Sequence, residues 1–273
     1  MSRERPINEE KREQMKNETE GFSSPLLFPP YNRPPYPVED AKLVIVRYKA
    51  DAAAIAKLVP RPLEPVGDGI VTAFIGDIWQ INGAGEYHEG GVSVGVRYKG
   101  ITGSYMPFLL TSTDDALLVG REVFGMPKLM CDAGRIWIEG NARRASLVRR
   151  GDEILNLGVN LETRVEAEKL LPVHRFFLKK IASPDPEWPS LRQVIYQKLT
   201  DHKGKCAYTG RGWVKTGGNT ALDLTSISSN GVLEAAYVEA SWDVPASKVM
   251  LEERITFSKR DQTPTSSRKK TKR

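Results

Sequence analysis

Long apolar runs, cysteine and histidine are all scarce in this chain of 273 residues. No stretch of about 18 consecutive apolar residues occurs, so the sequence offers no membrane-spanning helix. The N-terminal segment MSRERPINEEKREQMKNE is charged and lacks the apolar stretch of a secretory signal, which predicts a cytoplasmic protein. The two cysteines, Cys131 and Cys206, lie far apart in the sequence. They are expected to be reduced thiols that pack as small hydrophobic side chains.

Sequence motifs for cofactors and metals are also missing. There is no G-x-G-x-x-G after a strand and no G-x-x-x-x-G-K-[ST], so dinucleotide and phosphate-loop sites lack their glycines. The histidines His88, His174 and His202 are scattered, and no pair has the H-x-x-x-H spacing of a helical metal site. The sequence therefore predicts neither a metal nor an organic cofactor.

The net charge of +6 suggests an acidic partner such as nucleic acid. However, the final segment, Ser258 to Arg273, holds seven basic residues and one acidic residue. Without it, the chain has thirty-three basic and thirty-three acidic residues and is neutral. Nucleic acid is therefore not predicted as a partner beyond non-specific contacts of this tail.

Composition divides the chain into three parts. Residues 1–37 are polar and then proline-rich, and are predicted to form an extended arm. Residues 258–273 form the basic tail, which has too little apolar content to fold. Residues 38–257 are predicted to form one domain, with short helices that follow the N-cap residues Asp51 and Thr113. Many antiparallel strands with few helices predict an α+β, mostly antiparallel, barrel-like domain.

The clearest strand pattern lies between Arg135 and Glu162, where three alternating runs are joined at Gly140-Asn141 and Gly151-Asp152. Such joints are typical of β-hairpins. A further strand is predicted at Thr220–Ser226, from its alternating residues.

One lysine stands out chemically. In GREVFGMPKLM (Gly120–Met130) a predicted helix ends at glycine and proline, and Lys128 follows among Met126, Leu129 and Met130. Apolar neighbours disfavour the ammonium form of a lysine. A neutral amine can attack a ketone and form an iminium, an electron sink for breaking an adjacent carbon–carbon bond. The alternative, favoured by composition alone, is a lysine whose charged end reaches water from a buried stem.

The pattern G-R-E-x-x-G-x-P-K, which ends at Lys128, resembles the signature of the acetoacetate decarboxylase family, in which this lysine forms the Schiff base. DAAAIAKLVPRPLEPV (Asp51–Val66) and EYHE with the strand GVSVGVRYKG (Glu86–Gly100) are similar to other segments of that family. The resemblance implies a cone-shaped β-barrel, a homo-oligomer and a small keto-acid or carbonyl substrate. It implies no cofactor, because the lysine iminium is itself the electron sink.

The resemblance also implies roles for individual residues. Lys128 matches the Schiff-base lysine. Glu89 matches the acidic residue that orients groups or shuttles a proton at the enamine carbon; alternatively, it is a turn carboxylate that faces solvent. Arg121 and Glu122 precede the lysine and are expected to pair structurally rather than to line the pocket.

Three positions depart from the family pattern. Leu129 stands where the family has a second lysine, whose charge favours the neutral form of the nucleophile. Ala41 replaces an arginine and Phe74 replaces a glutamate. Leu129 leaves Lys128 without a neighbouring charge that favours its neutral form, and Ala41 supplies no guanidinium to bind a carboxylate. Acetoacetate is therefore expected to be decarboxylated weakly.

The sequence therefore predicts a Schiff-base lyase that decarboxylates acetoacetate or a related β-keto acid through Lys128. The first alternative is an aldolase–dehydratase of the same superfamily that uses the same lysine. An alternative of another class is a non-catalytic barrel that binds an apolar ligand and merely buries Lys128.

Overall fold

The computed structural model describes residues 31–185, 187–220 and 222–255. Most of the predicted arm and all of the predicted tail lie outside these residues. The first strand begins at Tyr36, two residues before the predicted start of the domain. None of the helices in the described part of the chain is long and apolar enough to cross a membrane.

Strands make up most of the described chain. They are β1 (Tyr36–Lys49), β2 (Glu64–Pro65), β3 (Ile70–Gln80), β4 (Gly85–Tyr98), β5 (Ile101–Thr111), β6 (Lys128–Met130), β7 (Ala133–Glu139), β8 (Ala142–Arg149), β9 (Asp152–Asn160), β10 (Thr163–Arg164), β11 (His174–Ile181), β12 (Ser190–Lys198), β13 (Thr200–Gly210), β14 (Gly212–Thr216), β15 (Gly218–Asn219), β16 (Leu222–Asp223), β17 (Gly231–Val244) and β18 (Lys248–Ile255).

The helices are short, and the sequence marks their ends. They are α1 (Ala52–Leu58), α2 (Asp114–Leu118), a π-helix (Val119–Phe124) and two 3-10 turns (Ala167–Leu170 and Thr225–Ile227). The Asp51 side chain accepts a hydrogen bond from the backbone amide of Ala53, and the Thr113 hydroxyl accepts one from Ala116. Both predicted N-caps are thus present.

A twelve-stranded sheet forms the body of the molecule. Its strand order is β10-β13-β17-β1-β3-β4-β5-β11-β12-β18, with β2 paired to β4 and β6 paired to β5. Strand β5 runs parallel to β6 and β11, and the other pairs are antiparallel. The predicted class, α+β and mostly antiparallel, is confirmed. Within the described residues this sheet order has two ends, β10 and β18, rather than forming a closed ring.

A four-stranded sheet, in the order β14-β9-β8-β7, contains the predicted meander. The chain turns at Gly140 and at Gly151, both of which have positive φ, as glycine permits without strain. The predicted strand at Thr220–Ser226 is wrong: among the residues described there, only Leu222–Asp223 form a strand, before a 3-10 turn. The Asp223 side chain accepts a hydrogen bond from the Thr225 amide, and such local bonds compete with strand pairing.

The central strand β1 contributes to two hydrophobic clusters, one on each face. Val44, Val46 and Tyr48 belong to the first cluster, with residues of the four-stranded sheet. Leu43 and Ile45 belong to the second cluster, which also receives residues of the π-helix and β11. Because successive side chains of a strand point to opposite faces of the sheet, β1 contributes to both hydrophobic clusters. The catalytic candidates lie on the side of the second cluster.

Candidate active site

Lys128 is positioned by the turn that follows the π-helix. Gly125 has a φ of 72°, the left-handed conformation that ends helices and favours glycine. The amide of Met126 donates to the carbonyl of Gly120 at 2.9 Å, which closes this turn. Lys128 then begins β6, opposite Leu109 of β5. Gly125 and Pro127 thus turn the chain from the π-helix into the sheet, where β6 begins at Lys128.

The side chain of Lys128 is buried, with 3% of it exposed. Its stem runs over Gly120, where an added Cβ would lie 2.5 Å from the lysine Cδ and 2.7 Å from Cε. Any side chain at position 120 would therefore displace the lysine. The alternative that Lys128 extends its charged end into water is wrong for this structure, since the whole side chain is enclosed.

Glu89 is the charged partner of Lys128. Its Oε2 lies 2.5 Å from Nζ, and 12% of the glutamate side chain is exposed. The contact does not have the angles of a hydrogen bond, so the pair is held by charge. The alternative interpretation of Glu89 as a solvent-facing turn carboxylate does not fit this position in the middle of β4.

Tyr87 lies two residues before Glu89 and faces the same side of β4. Its ring centroid is 4.9 Å from Nζ of Lys128, within the range of a cation–π contact. Burial, with a contribution from Glu89, raises the pKa of Tyr87 well above its ordinary value. The phenol therefore stays neutral beside the pair.

The sequence analysis missed Arg175, a buried arginine on β11 with 8% of its surface exposed. Its guanidinium donates to the side-chain carbonyl of Gln197, and its Nε has no hydrogen-bond partner. Burial lowers the pKa of Arg175 to about 10, and Glu89 and Tyr87 act in the opposite direction. The side chain is thus a cation at neutral pH, with a free buried donor. Arg175 and Phe177 are two residues apart and therefore share one buried face of β11. This spacing was the sequence pattern that could have indicated a buried arginine.

Two cavities meet at these residues. The smaller, about 40 Å³, is lined by Lys128, Tyr87 and Met126, among others. The larger, about 270 Å³, extends away from the lysine. Four residues line both cavities: Ile78, Glu89, Arg175 and Trp242. The glutamate and the arginine therefore border the space through which a ligand would reach Lys128.

The residues next to the lysine motif have structural contacts. The Arg121 guanidinium donates to the backbone carbonyl of Lys128 at 3.1 Å, which fixes the start of β6. Glu122 accepts a hydrogen bond of 2.5 Å from the hydroxyl of Tyr31. Arg121 and Glu122 thus act structurally, as predicted, but through these partners.

The three residues that depart from the family pattern, Ala41, Phe74 and Leu129, lie in different environments. Ala41 is fully buried in the second cluster. Phe74 lines the larger cavity. Leu129 packs against the first cluster, on the opposite face of β6 from Lys128. A charge at position 129 would thus point away from Nζ of Lys128, so the expectation that Leu129 deprives the lysine of an activating charge does not follow from this geometry.

The variant Leu129→Lys tests this arrangement. Because the new side chain faces the first cluster, on the opposite face of β6 from Nζ of Lys128, we expect turnover within about twofold of the wild type. The acidic limb of the rate–pH profile should not move, while the free energy of unfolding should fall by about 1–3 kcal/mol. A downward shift of that limb in steady-state kinetics would show that the charge at 129 acts on Lys128.

The cysteines and histidines in the described part of the chain do not come together as a metal site or a disulfide. Cys131 and Cys206 are free cysteines. His88 pairs with Asp77 at 2.7 Å, and His174 contacts Tyr196. Across residues 31–185, 187–220 and 222–255 there is no cluster of three or more histidine, cysteine or acidic side chains suited to a metal.

The sequence and the fold of this chain are similar to those of known proteins. The family model for acetoacetate decarboxylase matches residues 23–253. Acetoacetate decarboxylase 1 of Bradyrhizobium diazoefficiens is 34% identical over 223 residues, which cover 80% of this chain and 88% of that protein. The structure of the Legionella pneumophila acetoacetate decarboxylase has a TM-score of 0.79 at 20% identity, and covers 87% of this chain and 96% of its own.

A second similar structure is that of the enduracididine biosynthesis enzyme MppR, complexed with the condensation product of pyruvate and imidazole 4-carboxaldehyde. It has a TM-score of 0.72 at 15% identity, and covers 82% of this chain and 92% of its own. The likeness is one of fold. With a family match over most of its length, the chain belongs to the acetoacetate decarboxylase family of carbon–carbon lyases.

Proposed function

We propose that this protein decarboxylates a β-keto acid through an iminium on Lys128, with Glu89 as the proton carrier and Arg175 as the carboxylate-binding residue. The observation that supports it most is the enclosed pair of Lys128 and Glu89, 2.5 Å apart, at cavities that Arg175 also borders. An amine, a proton carrier and a cation around one cavity are the groups this reaction needs.

The reaction begins with transfer of a proton from the Lys128 ammonium to Glu89. The neutral amine attacks the ketone carbon of the substrate, and the proton returns as the carbinol oxygen leaves as water. The product is a protonated iminium, with Glu89 again a carboxylate. Nζ and Oε2 lie 2.5 Å apart, so a rotation of either side chain into hydrogen-bond alignment allows this exchange without an intervening water.

Carbon–carbon cleavage follows from the iminium. The bond between the α-carbon and the carboxylate breaks, carbon dioxide leaves, and the electron pair moves to the iminium nitrogen to give an enamine. The α-carbon takes a proton, for which Glu89 is the carrier, and water hydrolyses the new iminium to a ketone and Lys128. The complete cycle takes up one proton from solvent.

Arg175 supplies the cation that Ala41 does not. Its unpartnered Nε is a buried donor, and a carboxylate is the acceptor that a guanidinium binds most strongly. Arg175 on β11 therefore binds the substrate carboxylate, and the absence of an arginine at position 41 does not weaken decarboxylation.

The variant Arg175→Gln tests this role. We expect kcat/KM for acetoacetate to fall about 10–100-fold, mainly through KM, since a charged hydrogen bond is lost. In the wild type, KM should rise as the pH passes about 10, where the guanidinium begins to lose its proton. Arg192→Gln, which removes the arginine of the Arg192–Glu253 ion pair on the neighbouring strand, is the matched control. An equal loss in both variants would assign Arg175 a purely structural role.

Trapping with borohydride tests the proposed function as a whole. Reduction in the presence of acetone or acetoacetate should leave an adduct on a peptide containing Lys128, and carbon dioxide should be released from acetoacetate. A folded protein that forms no adduct with any ketone would favour the non-catalytic barrel that binds an apolar ligand.

An aldolase–dehydratase is the second candidate. The larger cavity, about 270 Å³, has room for a second carbonyl compound. MppR, which has a similar fold, is complexed with a condensation product in its structure. Formation of an enone from pyruvate and an aldehyde, without carbon dioxide release from acetoacetate, would favour this candidate. A homo-oligomer and a cytoplasmic location stay predictions from the sequence.

A further inference from the structure

The larger cavity continues outward from Glu89 along one face of the twelve-stranded sheet. The strand register defines its depth. Gly76 lies opposite Glu89, and Thr72 lies opposite Ser93, four residues further along β4. At about 3.3 Å per residue, the cavity runs for roughly 13 Å from the glutamate to Ser93. Its volume of about 270 Å³ is close to the lower end of the pockets that hold drug-sized ligands, about 300 Å³.

The wall of this cavity is mostly apolar between two charged ends, with hydroxyl side chains at Thr72, Ser93 and Ser104. Glu89 and Arg175 stand at the inner end. Arg47, Glu234 and Lys169 stand at the outer end, where the side chains of all three are exposed. The other residues lining the wall between these ends share apolar side chains: Leu43, Ile45, Phe74, Met106, Leu171 and Ala236.

Phe74 contributes to this apolar wall directly. It lies opposite Ile45 of β1 and opposite Gly91 of β4, so its ring is next to a position without a side chain. A carboxylate at position 74 would place a charge in the middle of the wall. The phenylalanine instead continues the apolar wall outward from Ile78, as far as the hydroxyl side chains of Thr72 and Ser93.

We propose that the larger cavity binds the apolar substituent of a medium-chain 3-oxo acid, so that the preferred substrates are longer than acetoacetate. This rests on the proposed function, since it places the ketone carbon at Lys128. The carboxylate then lies at Arg175, and the alkyl chain on the other side of the ketone extends past Phe74 toward Ser93. Acetoacetate has only a methyl group on that side and would leave the cavity unfilled.

Decarboxylation of a chain-length series measures this preference. Carbon dioxide release from acetoacetate, 3-oxohexanoate and 3-oxooctanoate is measured and corrected for spontaneous loss. We expect kcat/KM to rise about fourfold for each added methylene that reaches the apolar wall. A kcat/KM that stays level or falls along the series would overturn the inference.

Variants at position 74 locate the binding of the chain. Phe74→Glu should lower the ratio of kcat/KM for 3-oxooctanoate over acetoacetate by at least about tenfold, whereas the matched Phe74→Leu should preserve the preference for the longer acid. If Phe74→Glu does not fold, Ser93→Phe narrows the outer part of the cavity and should lower the same ratio. An unchanged ratio in the folded variants would place the chain elsewhere and overturn the assignment.

A separate readout distinguishes the failure of this inference from the failure of the proposed function. Borohydride trapping of acetone on wild-type Lys128 does not depend on the larger cavity. An adduct together with a preference for acetoacetate would refute only the chain-binding role. The absence of an adduct with every ketone would refute the proposed function itself.

Discussion

Replacement of Lys128 by methionine is expected to lower the decarboxylation of β-keto acids by about 10⁴–10⁶-fold, the range seen when a covalent nucleophile is removed. Methionine fills much of the space over Gly120 but has no nitrogen for an iminium. The borohydride adduct should disappear together with the activity, which is measured as carbon dioxide release. Turnover within about tenfold of the wild type would rule out covalent catalysis by this lysine.

A folding control is needed for this variant, because Glu89 loses its charged partner. Breaking a buried ion pair by removing one partner costs about 3–5 kcal/mol. The double variant Lys128→Met/Glu89→Gln removes both charges and should recover much of that stability in thermal unfolding, while remaining inactive. Inactivity in a stable double variant assigns the loss to chemistry rather than to unfolding.

Replacement of Glu89 by glutamine is expected to separate iminium formation from proton transfer. Glutamine has the size of glutamate but does not carry a proton between Lys128 and the substrate. Because Glu89 also accepts the Lys128 proton before the amine attacks, borohydride adducts on Lys128 should form more slowly but still accumulate, whereas solvent-deuterium exchange into the product ketone should slow about 10²–10⁴-fold.

The matched control for this experiment is Glu86→Gln, which lies three residues earlier on the same strand and is exposed. It should exchange deuterium at the wild-type rate. If Glu89→Gln exchanged equally fast, another group would carry the proton, and Glu89 would serve only to balance the charge of Lys128.

Local sequence predicted the parts of this site that depend on neighbouring residues. The turn before Lys128 depends on Gly125 and Pro127, and the helix before it depends on the Thr113 cap; both follow from short motifs. The roles of Lys128 and Glu89 came from the family resemblance, and the structure adds that the two side chains are in contact.

The position of Arg175 depends on pairing that no local motif encodes. Strand β11 is joined to β5 in parallel, and Arg175 lies opposite Ser104, which is 71 residues earlier in the chain. The effects of Leu129 and Phe74 could not be predicted from local sequence either. Each effect depends on which face of its strand the side chain occupies. Alternation along a strand can be read from the sequence, but which face borders the cavity cannot.

The pairing of β1 with β17 has a consequence for how the chain folds during synthesis. Tyr36–Lys49 pairs with Gly231–Val244, which lies more than 180 residues later in the chain. One edge of β1 therefore stays unpaired until β17 has been synthesised. At translation rates of about 5–20 residues per second, that partner emerges roughly 10–40 s later. During this time β1 presents unpaired backbone and an apolar face of valine, isoleucine and leucine, the features that promote aggregation. The two clusters that β1 joins are thus completed late, and folding is expected to be slow and to benefit from chaperones.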